Sequence, residues 1–415
     1  MSVIWQLYNT NNHTKRTLII VSSATILFLL LITNGPPCND VLNFYEHSES
    51  IKSGLLPYKD FIFEFPPFSL LFFLIPGLFT SDLNTYSFIF GTMVVIFILI
   101  SMYYLQKMCE IIHVNEITTS ILFLVFFIIY FPVNKFDVFV MCITLISIYC
   151  FMNRKIGMAY GLATFAAFTK MYPILIILIF LLINLFGKED NKCKNIICGL
   201  ISCTIVTAIA IVPLIIAGVS FTEIISFVGF HSERGFHVES IFAVTVMLLS
   251  SLGLTSYSLV TAHYTHDVIS PICDMFLPYW TVITGLILIF STIIIIKCIY
   301  NQNFNNRILI ISCMVIITTF MLTNKVFSTQ YMVWIFPMMA IIPMITKRKN
   351  NRIIMIAMNI SMVLACNLYL EQEVGNIAYI CLNAYKDIIL TILFAICIYS
   401  LVKPEKSQLE LTDNI

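Results

Sequence analysis

Apolar residues fill this chain in runs that are too long for strands and lack the polar stripe of a surface helix. The runs fall near residues 17–33, 84–105, 117–132, 138–152, 156–169, 172–186, 195–217, 277–296, 308–323, 331–346, 352–370 and 387–402. Runs of about 15–22 residues suit a hydrocarbon core about 30 Å thick, and tilt or local thinning accommodates the shorter ones. The pattern predicts an all-α integral membrane protein with about twelve transmembrane helices. Two further apolar stretches, 68–80 and 241–254, are short and read as interfacial or re-entrant helices. The chain reads as one polytopic domain, 1–415, broken by two larger polar segments at 34–83 and 218–276.

Composition supports this class. Hydrophobic residues make up 59% of the 415 and charged residues 11%, with a mean hydropathy of +0.94. A soluble domain could not cover so much apolar surface. The net charge of +1 implies no acidic polymer, and no nucleic-acid motif is present. The thirteen cysteines are scattered without a CxxC pair and read as small hydrophobes, although Cys38 and Cys273 could both lie outside and pair. The opening "HTKRTLIIVSSATILFLLLITNG" has basic residues before a long apolar stretch and no clear cleavage site, so it reads as an uncleaved first span.

Basic residues set the expected orientation. With both termini in the cytoplasm, most of the 23 Lys and Arg fall on the cytoplasmic side. Lys52, Lys59, Lys135, Lys170, Arg234, Lys325 and Lys386 are left outside. The cytoplasmic segments are then short and plain. The outer ones carry "NDVLNFYEHSESIKSGLLPYKDFIFEFPP", "NKFDVF", "TKMYP", "HSERGFHVES" and "NKVFSTQY". Ionisable groups at a hydrocarbon boundary are costly and usually mark a site, so the convergence of these pieces on one face is the main pointer to function.

Each piece also has a plainer reading. Asp60 and Glu64 precede Pro66 and Pro67, which keep the chain extended and can tuck a carboxylate against the membrane. Beside apolar walls an unpaired carboxyl gains proton affinity and suits a general base; otherwise the segment is a solvated loop. Lys135 and Asp137 share a tight turn, whose local ion pair would contribute little by itself. Lys170 and Tyr172 sit at another turn, where a lysine either snorkels or holds a phosphate. His231, Glu233, Arg234, His237 and Glu239 form the densest cluster, with Arg suited to bidentate phosphate contacts. Their spacing fits no zinc pattern such as HExxH, so no metal is expected. Asn324, Lys325, Gln330 and Tyr331 could read sugar hydroxyls or merely cap two spans.

Together these motifs resemble a GT-C-fold glycosyltransferase of family 87. That family carries an Asp shortly before a Tyr after its first span, matched by Asp40 and Tyr45, and then a "PYxDFxxEYPP" stretch, here "PYKDFIFEFPP". An "RFD"-like turn corresponds to Lys135, Phe136 and Asp137. "TKMYP", "RGFHVES" and "NKVFSTQY" follow in the family's order, so the matches run from about residue 40 to 331. The departures are Phe65 for Tyr, Lys135 for Arg, and Thr329 where Pro is common.

The resemblance implies a multi-span helical bundle with outer-face loops and short interfacial helices. It implies transfer of a hexose, most often mannose, from a polyprenyl-phosphate carrier to a lipid-linked or cell-surface glycan, outside the cytoplasm and with inversion. The acid of the first outer loop, Asp40, is the expected base. Lys170, Tyr172, Arg234, His237, Glu239, Lys325, Gln330 and Tyr331 are candidates for donor phosphate and sugar. Asp60, Glu64 and Asp137 are candidates for acceptor hydroxyls or for holding those cations. No Gly-rich nucleotide loop is present, which fits a lipid-phosphate donor, and no cofactor is implied. The other classes are a multi-pass transporter or flippase of lipid-linked glycans, which needs broken helices and charges near the midplane, and a non-catalytic subunit of a glycan-assembly complex, which needs no carboxylates.

Overall fold

Seven helices are long and apolar enough to cross a membrane, and six shorter apolar helices of 10–17 residues accompany them among the described residues. These come from a computed structural model that describes residues 12–33, 39–188, 191–232, 234–262, 265–302, 305–346, 348–370 and 372–403. The chain divides into two compact units. Unit 1 comprises 1–177, 197–230 and 332–347; unit 2 comprises 178–196, 231–331 and 348–415.

In unit 1, α1 (Asn12–Thr33) and α4 (Leu83–Ile112) are full-length spans. They approach closely at Gly91, where a Cβ would lie 2.4 Å from the Leu31 side chain. Between them, α2 (Asn39–Lys52) and α3 (Ser69–Gly77) flank the "PYKDFIFEFPP" loop. The segment holding α2 was expected to be a loop because of its charges. It is helical because Val41, Phe44, His47 and Ser48 recur at helical spacing and are all buried, while its acids face outward or pair. Phe44 stacks on Phe73 at 4.2 Å, and Phe63, Phe65 and Phe136 close an aromatic box around them. The helices α5 (Glu116–Ile129) and α7 (Ile156–Ala167) are shorter than the runs 117–132 and 156–169 expected for them, whereas α6 (Asp137–Met152) fills the whole of its run. Pro132 follows the end of α5, and the turn at 153–154 separates α6 from α7. The helix α8 (Ile174–Phe186) follows.

The helix α9 (Lys192–Ile216) brings Gly199 onto the Tyr160 ring, a contact a Cβ would fill at 2.9 Å. Short helices α10 (Phe221–Ile224) and α11 (Ser226–Ser232) follow it.

Unit 2 departs from the all-helical expectation. It contains a three-stranded antiparallel sheet of β1 (Phe236–His237), β2 (Ser258–Ala262) and β3 (Thr265–Ile269), in the order β1-β3-β2. The register pairs His237 with Asp267 and Leu259 with Val268. β-branched and polar residues alternating in "SLVTA" and "THDVI" carried this signal, which the surrounding apolar runs obscured. The sheet packs on α12 (Ile241–Ser251) through Phe236, Val244, Met247 and Val268. After α13 (Pro271–Phe276), α14 (Trp280–Asn301) and α15 (Asn306–Thr323) form a pair. Trp280 Nε1–H donates to the Thr323 carbonyl at 2.7 Å.

The helix α16 (Phe336–Ile345) belongs to unit 1. The helices α17 (Lys349–Tyr369) and α18 (Ile377–Val402) pack on each other in unit 2. The last span was expected from 387; α18 begins ten residues earlier, on the cap Asn376, and takes Lys386 and Asp387 inside the helix. Cys273 is a buried free thiol, and Cys38 lies outside the described residues.

Candidate functional site

The candidate residues fall into two clusters, one in each unit. In unit 1, Asp40 stands in the first turn of α2, where the helix dipole favours a carboxylate. Lys135, from the turn before α6, forms a salt bridge and hydrogen bond with Asp40 Oδ2. Both side chains remain accessible, at 38% for Asp40 and 27% for Lys135. Asp40 is therefore oriented without being sealed off.

Asp137 is the first residue of α6 and fully buried. Its Oδ1 accepts from Lys170 Nζ and from Trp334 Nε1, both at 2.6 Å, while Oδ2 has no hydrogen-bond partner among the described residues. Burial pushes the Lys170 ammonium below its usual range, and the Asp137 carboxylate opposes that shift. The Phe136 ring lies 4.8 Å from Lys170 Nζ. Tyr172 is buried, with its hydroxyl 3.4 Å from Thr144 Oγ1 and its ring stacked on Trp334 at 4.1 Å. "NKFDVF" and "TKMYP" thus form one network, and Trp334 is a member that the sequence reading missed.

The remaining acids of unit 1 hold the first loop together. Asp60 accepts the Leu56 N–H at 2.8 Å and so closes its own turn. Glu64 accepts from Asn43 Nδ2 at 2.9 Å and lies 3.5 Å from His47 Nε2. Burial raises the Glu64 carboxyl, but the hydrogen bonds and the field of His47 outweigh it and hold Glu64 below the usual range. The enhanced basicity expected of an unpaired carboxylate is thereby cancelled. Tyr58 donates to the Phe65 carbonyl at 2.6 Å, and Lys59 donates to the Gly218 carbonyl at 3.1 Å.

In unit 2, Arg234 is buried at 7% exposure. Its guanidinium donates to Thr265 Oγ1 at 2.5 Å, and its Nε is buried without a hydrogen-bond partner among the described residues. Asp267 accepts the Gly235 N–H at 3.0 Å and fixes the turn that presents Arg234. His237 is buried, and its Nδ1 lies 2.7 Å from the Phe327 carbonyl. That oxygen can only accept, so Nδ1 carries the proton and Nε2 keeps its lone pair. Burial pushes the His237 imidazole below its usual range.

The Glu239 carboxylate accepts from the Thr329 N–H at 2.5 Å and the Thr329 hydroxyl at 2.9 Å. Burial raises the Glu239 carboxyl, but the fields of His237 and Lys386, with hydrogen bonds from Thr329 and Tyr369, hold it down. The His237 N–H donates to the Lys325 carbonyl at 2.9 Å. Burial also lowers the Lys325 ammonium, with Asp267 opposing. Gln330 is half-buried, and Tyr331 is buried with its ring 6.0 Å from that of Phe327. "RGFHVES" and "NKVFSTQY" are therefore hydrogen-bonded to one another. The side chains of His231 and Glu233, named in the sequence reading, lie outside the described residues.

The family model for glycosyltransferase family 87 matches residues 63–324. The chain belongs to glycosyltransferase family 87. Asp137, Lys170, Arg234, His237 and Glu239 lie inside that match, and Asp40 and Lys325–Tyr331 lie outside it. A solved structure of similar fold is ArnT from Cupriavidus metallidurans bound to undecaprenyl phosphate. Its TM-score is 0.51 at 13% identity, with 94% of this chain and 78% of that one covered. This family-87 chain is thus a multi-span membrane protein with an ArnT-like, GT-C-type architecture. No curated protein sequence matches it.

Proposed function

We propose that the protein transfers a hexose, with mannose the first choice, from a polyprenyl-phosphate carrier to a lipid-linked or cell-surface glycan on the extracytoplasmic side. Family membership supplies glycosyl transfer. The observation that carries the donor class is Arg234, a buried guanidinium with an unpartnered N–H facing no carboxylate at contact distance among the described residues. A buried arginine in that state is suited to an anionic oxygen, and a phosphate is the anion this chemistry requires. The ArnT-like fold supports a lipid-borne donor, since that relative was solved with undecaprenyl phosphate.

The reaction is an inverting displacement. Asp40, oriented by Lys135, takes the proton of the acceptor hydroxyl. The acceptor oxygen bonds to the anomeric carbon as the bond from that carbon to the phosphate oxygen breaks. The polyprenyl phosphate leaves with the electron pair, and Arg234 and Lys325 offset its growing charge. His237 Nε2, which keeps its lone pair, accepts from a sugar hydroxyl and does not donate to the phosphate.

The test is turnover by the purified protein in lipid vesicles, given undecaprenyl-phosphate mannose, glucose or galactose and a cell-envelope lipid extract as acceptor. Transfer from at least one donor, lost in Asp40→Asn, is expected. Full turnover by a folded Asp40→Asn variant removes Asp40 from the role. Labelling of thiols introduced at 40–67 and 234–240 from the outer side tests the sidedness.

A further inference from the structure

Lys386 and Asp387 lie about 14 Å along α18 from its start, inside an apolar helix long enough to span a bilayer. Charges at such depth are expensive and need a reason. Lys386 is 0% exposed, so it does not meet a substrate in this structure. Its ammonium donates to the Glu239 carbonyl at 3.2 Å and to Asn383 Oδ1 at 3.1 Å, and Asp387 Oδ1 lies 3.3 Å away. The same ammonium sits 4.3 Å from the centre of the Phe327 ring and 5.8 Å from that of Tyr369.

These contacts reach both motifs of the unit 2 cluster. Glu239 is the next-to-last residue of "RGFHVES", and its side chain grips Thr329. Phe327 belongs to "NKVFSTQY", and its carbonyl fixes the His237 tautomer. Lys386 thus binds the main chain of one motif and the aromatic face of the other. A neutral side chain of the same length could fill the space but would supply neither the charged hydrogen bond nor the cation–π contact.

We propose that Lys386 is a positioning residue for sugar transfer. Its ammonium clamps the Arg234–His237–Glu239 segment against the 325–331 segment, and Asp387 is the counter-ion that keeps this charge inside the helix. The proposal rests on the assignment of those two segments to the donor. A transport role for the pair is disfavoured because the ammonium is already committed to a carbonyl, an amide oxygen and a ring.

Lys386→Met, the double variant Lys386→Met/Asp387→Leu and wild type separate the possibilities. The single variant leaves Asp387 buried without its cation, and it is expected to unfold at lower temperature. The double variant removes both charges and is expected to regain most of that loss. Amide hydrogen exchange reads the clamp without any substrate. In the double variant, exchange at 236–240 and 325–331 is expected to rise about tenfold or more, with α14 and α15 unchanged. Kinetics with undecaprenyl-phosphate mannose read the consequence, and kcat is expected to fall about 10²-fold even where thermal stability is restored.

Unchanged exchange in both segments overturns the clamp. Faster exchange with wild-type kcat and KM overturns the positioning role. A wild type that turns over no polyprenyl-phosphate hexose overturns the donor assignment, while exchange still decides the clamp.

Discussion

The two clusters hold their charges in different ways. In unit 1 two of the acids meet cations directly: Asp40 with Lys135, and Asp137 with Lys170. In unit 2 the acid at the centre, Glu239, is satisfied by the amide and hydroxyl of Thr329, and Arg234 is anchored through the hydroxyl of Thr265. A carboxylate matched to a cation is held in place. A guanidinium tethered by a neutral group keeps its charge for an incoming anion. The first arrangement suits a positioned base and its supports, and the second suits a phosphate.

The sharpest test of this contrast is Asp40→Asn. It should lower kcat by about 10²–10⁴-fold while leaving the donor KM near wild type. Steady-state kinetics over a range of donor concentrations separate the two parameters. An equal loss in kcat/KM caused only by KM would place Asp40 in donor binding and erase the distinction.

Next in size is Asp137→Ala. It takes the carboxylate from both the Lys170 ammonium and the Trp334 indole, deep in the protein. The expected cost is about 3–5 kcal/mol of stability. Thermal unfolding in detergent reads it, and a wild-type Tm would mean that the pair is not structural.

Arg234→Ala should act oppositely to Asp40→Asn. Loss of charged hydrogen bonds to a phosphate is worth about 1.5–3 kcal/mol, so the donor KM should rise by about one to two orders of magnitude. An unchanged KM would leave unit 2 without its assigned ligand.

The smallest expected effect is a pH slope. Burial holds His237 below its usual 6.5, so the unfolded chain binds a proton that the folded chain resists. Stability should therefore be full above about pH 6.5 and fall as pH drops through that value toward the folded pKa. His237→Asn retains a donor for the Phe327 carbonyl but cannot titrate. Its Tm should change less than that of wild type between about pH 7.5 and 5.5. Equal slopes would show that His237 titrates freely.

Much of this was legible in the residues. Seven of the twelve apolar runs read as spans are helices long enough to cross, the other five are helices of 10–17 residues, and the ordered motifs gave the family. The pairing of "NKFDVF" with "TKMYP", and of "RGFHVES" with "NKVFSTQY", was not legible, because long-range contacts leave no trace in local spacing. Other misses have particular causes. The segment 39–52 carries so many charges that its buried stripe of Val41, Phe44 and His47 was overlooked. Lys386 looked like the outer boundary of the last span. Only the tertiary fold shows that Asn383, Asp387 and the Glu239 carbonyl make a place for it inside. Asp267 and Trp334 sit in segments without a recognisable motif and earn their roles only by contact.

The chain has three tryptophans, and Trp5 lies outside the described residues. The other two are distributed one to each unit. Trp334 is hydrogen-bonded to Asp137 and stacked on Tyr172, and Trp280 is hydrogen-bonded to Thr323 and lies edge-on to Phe236. Indole emission responds to both kinds of neighbour. In variants that keep a single tryptophan, Trp280 or Trp334, each unit therefore carries its own native fluorophore, and its surroundings can be followed without any attached dye.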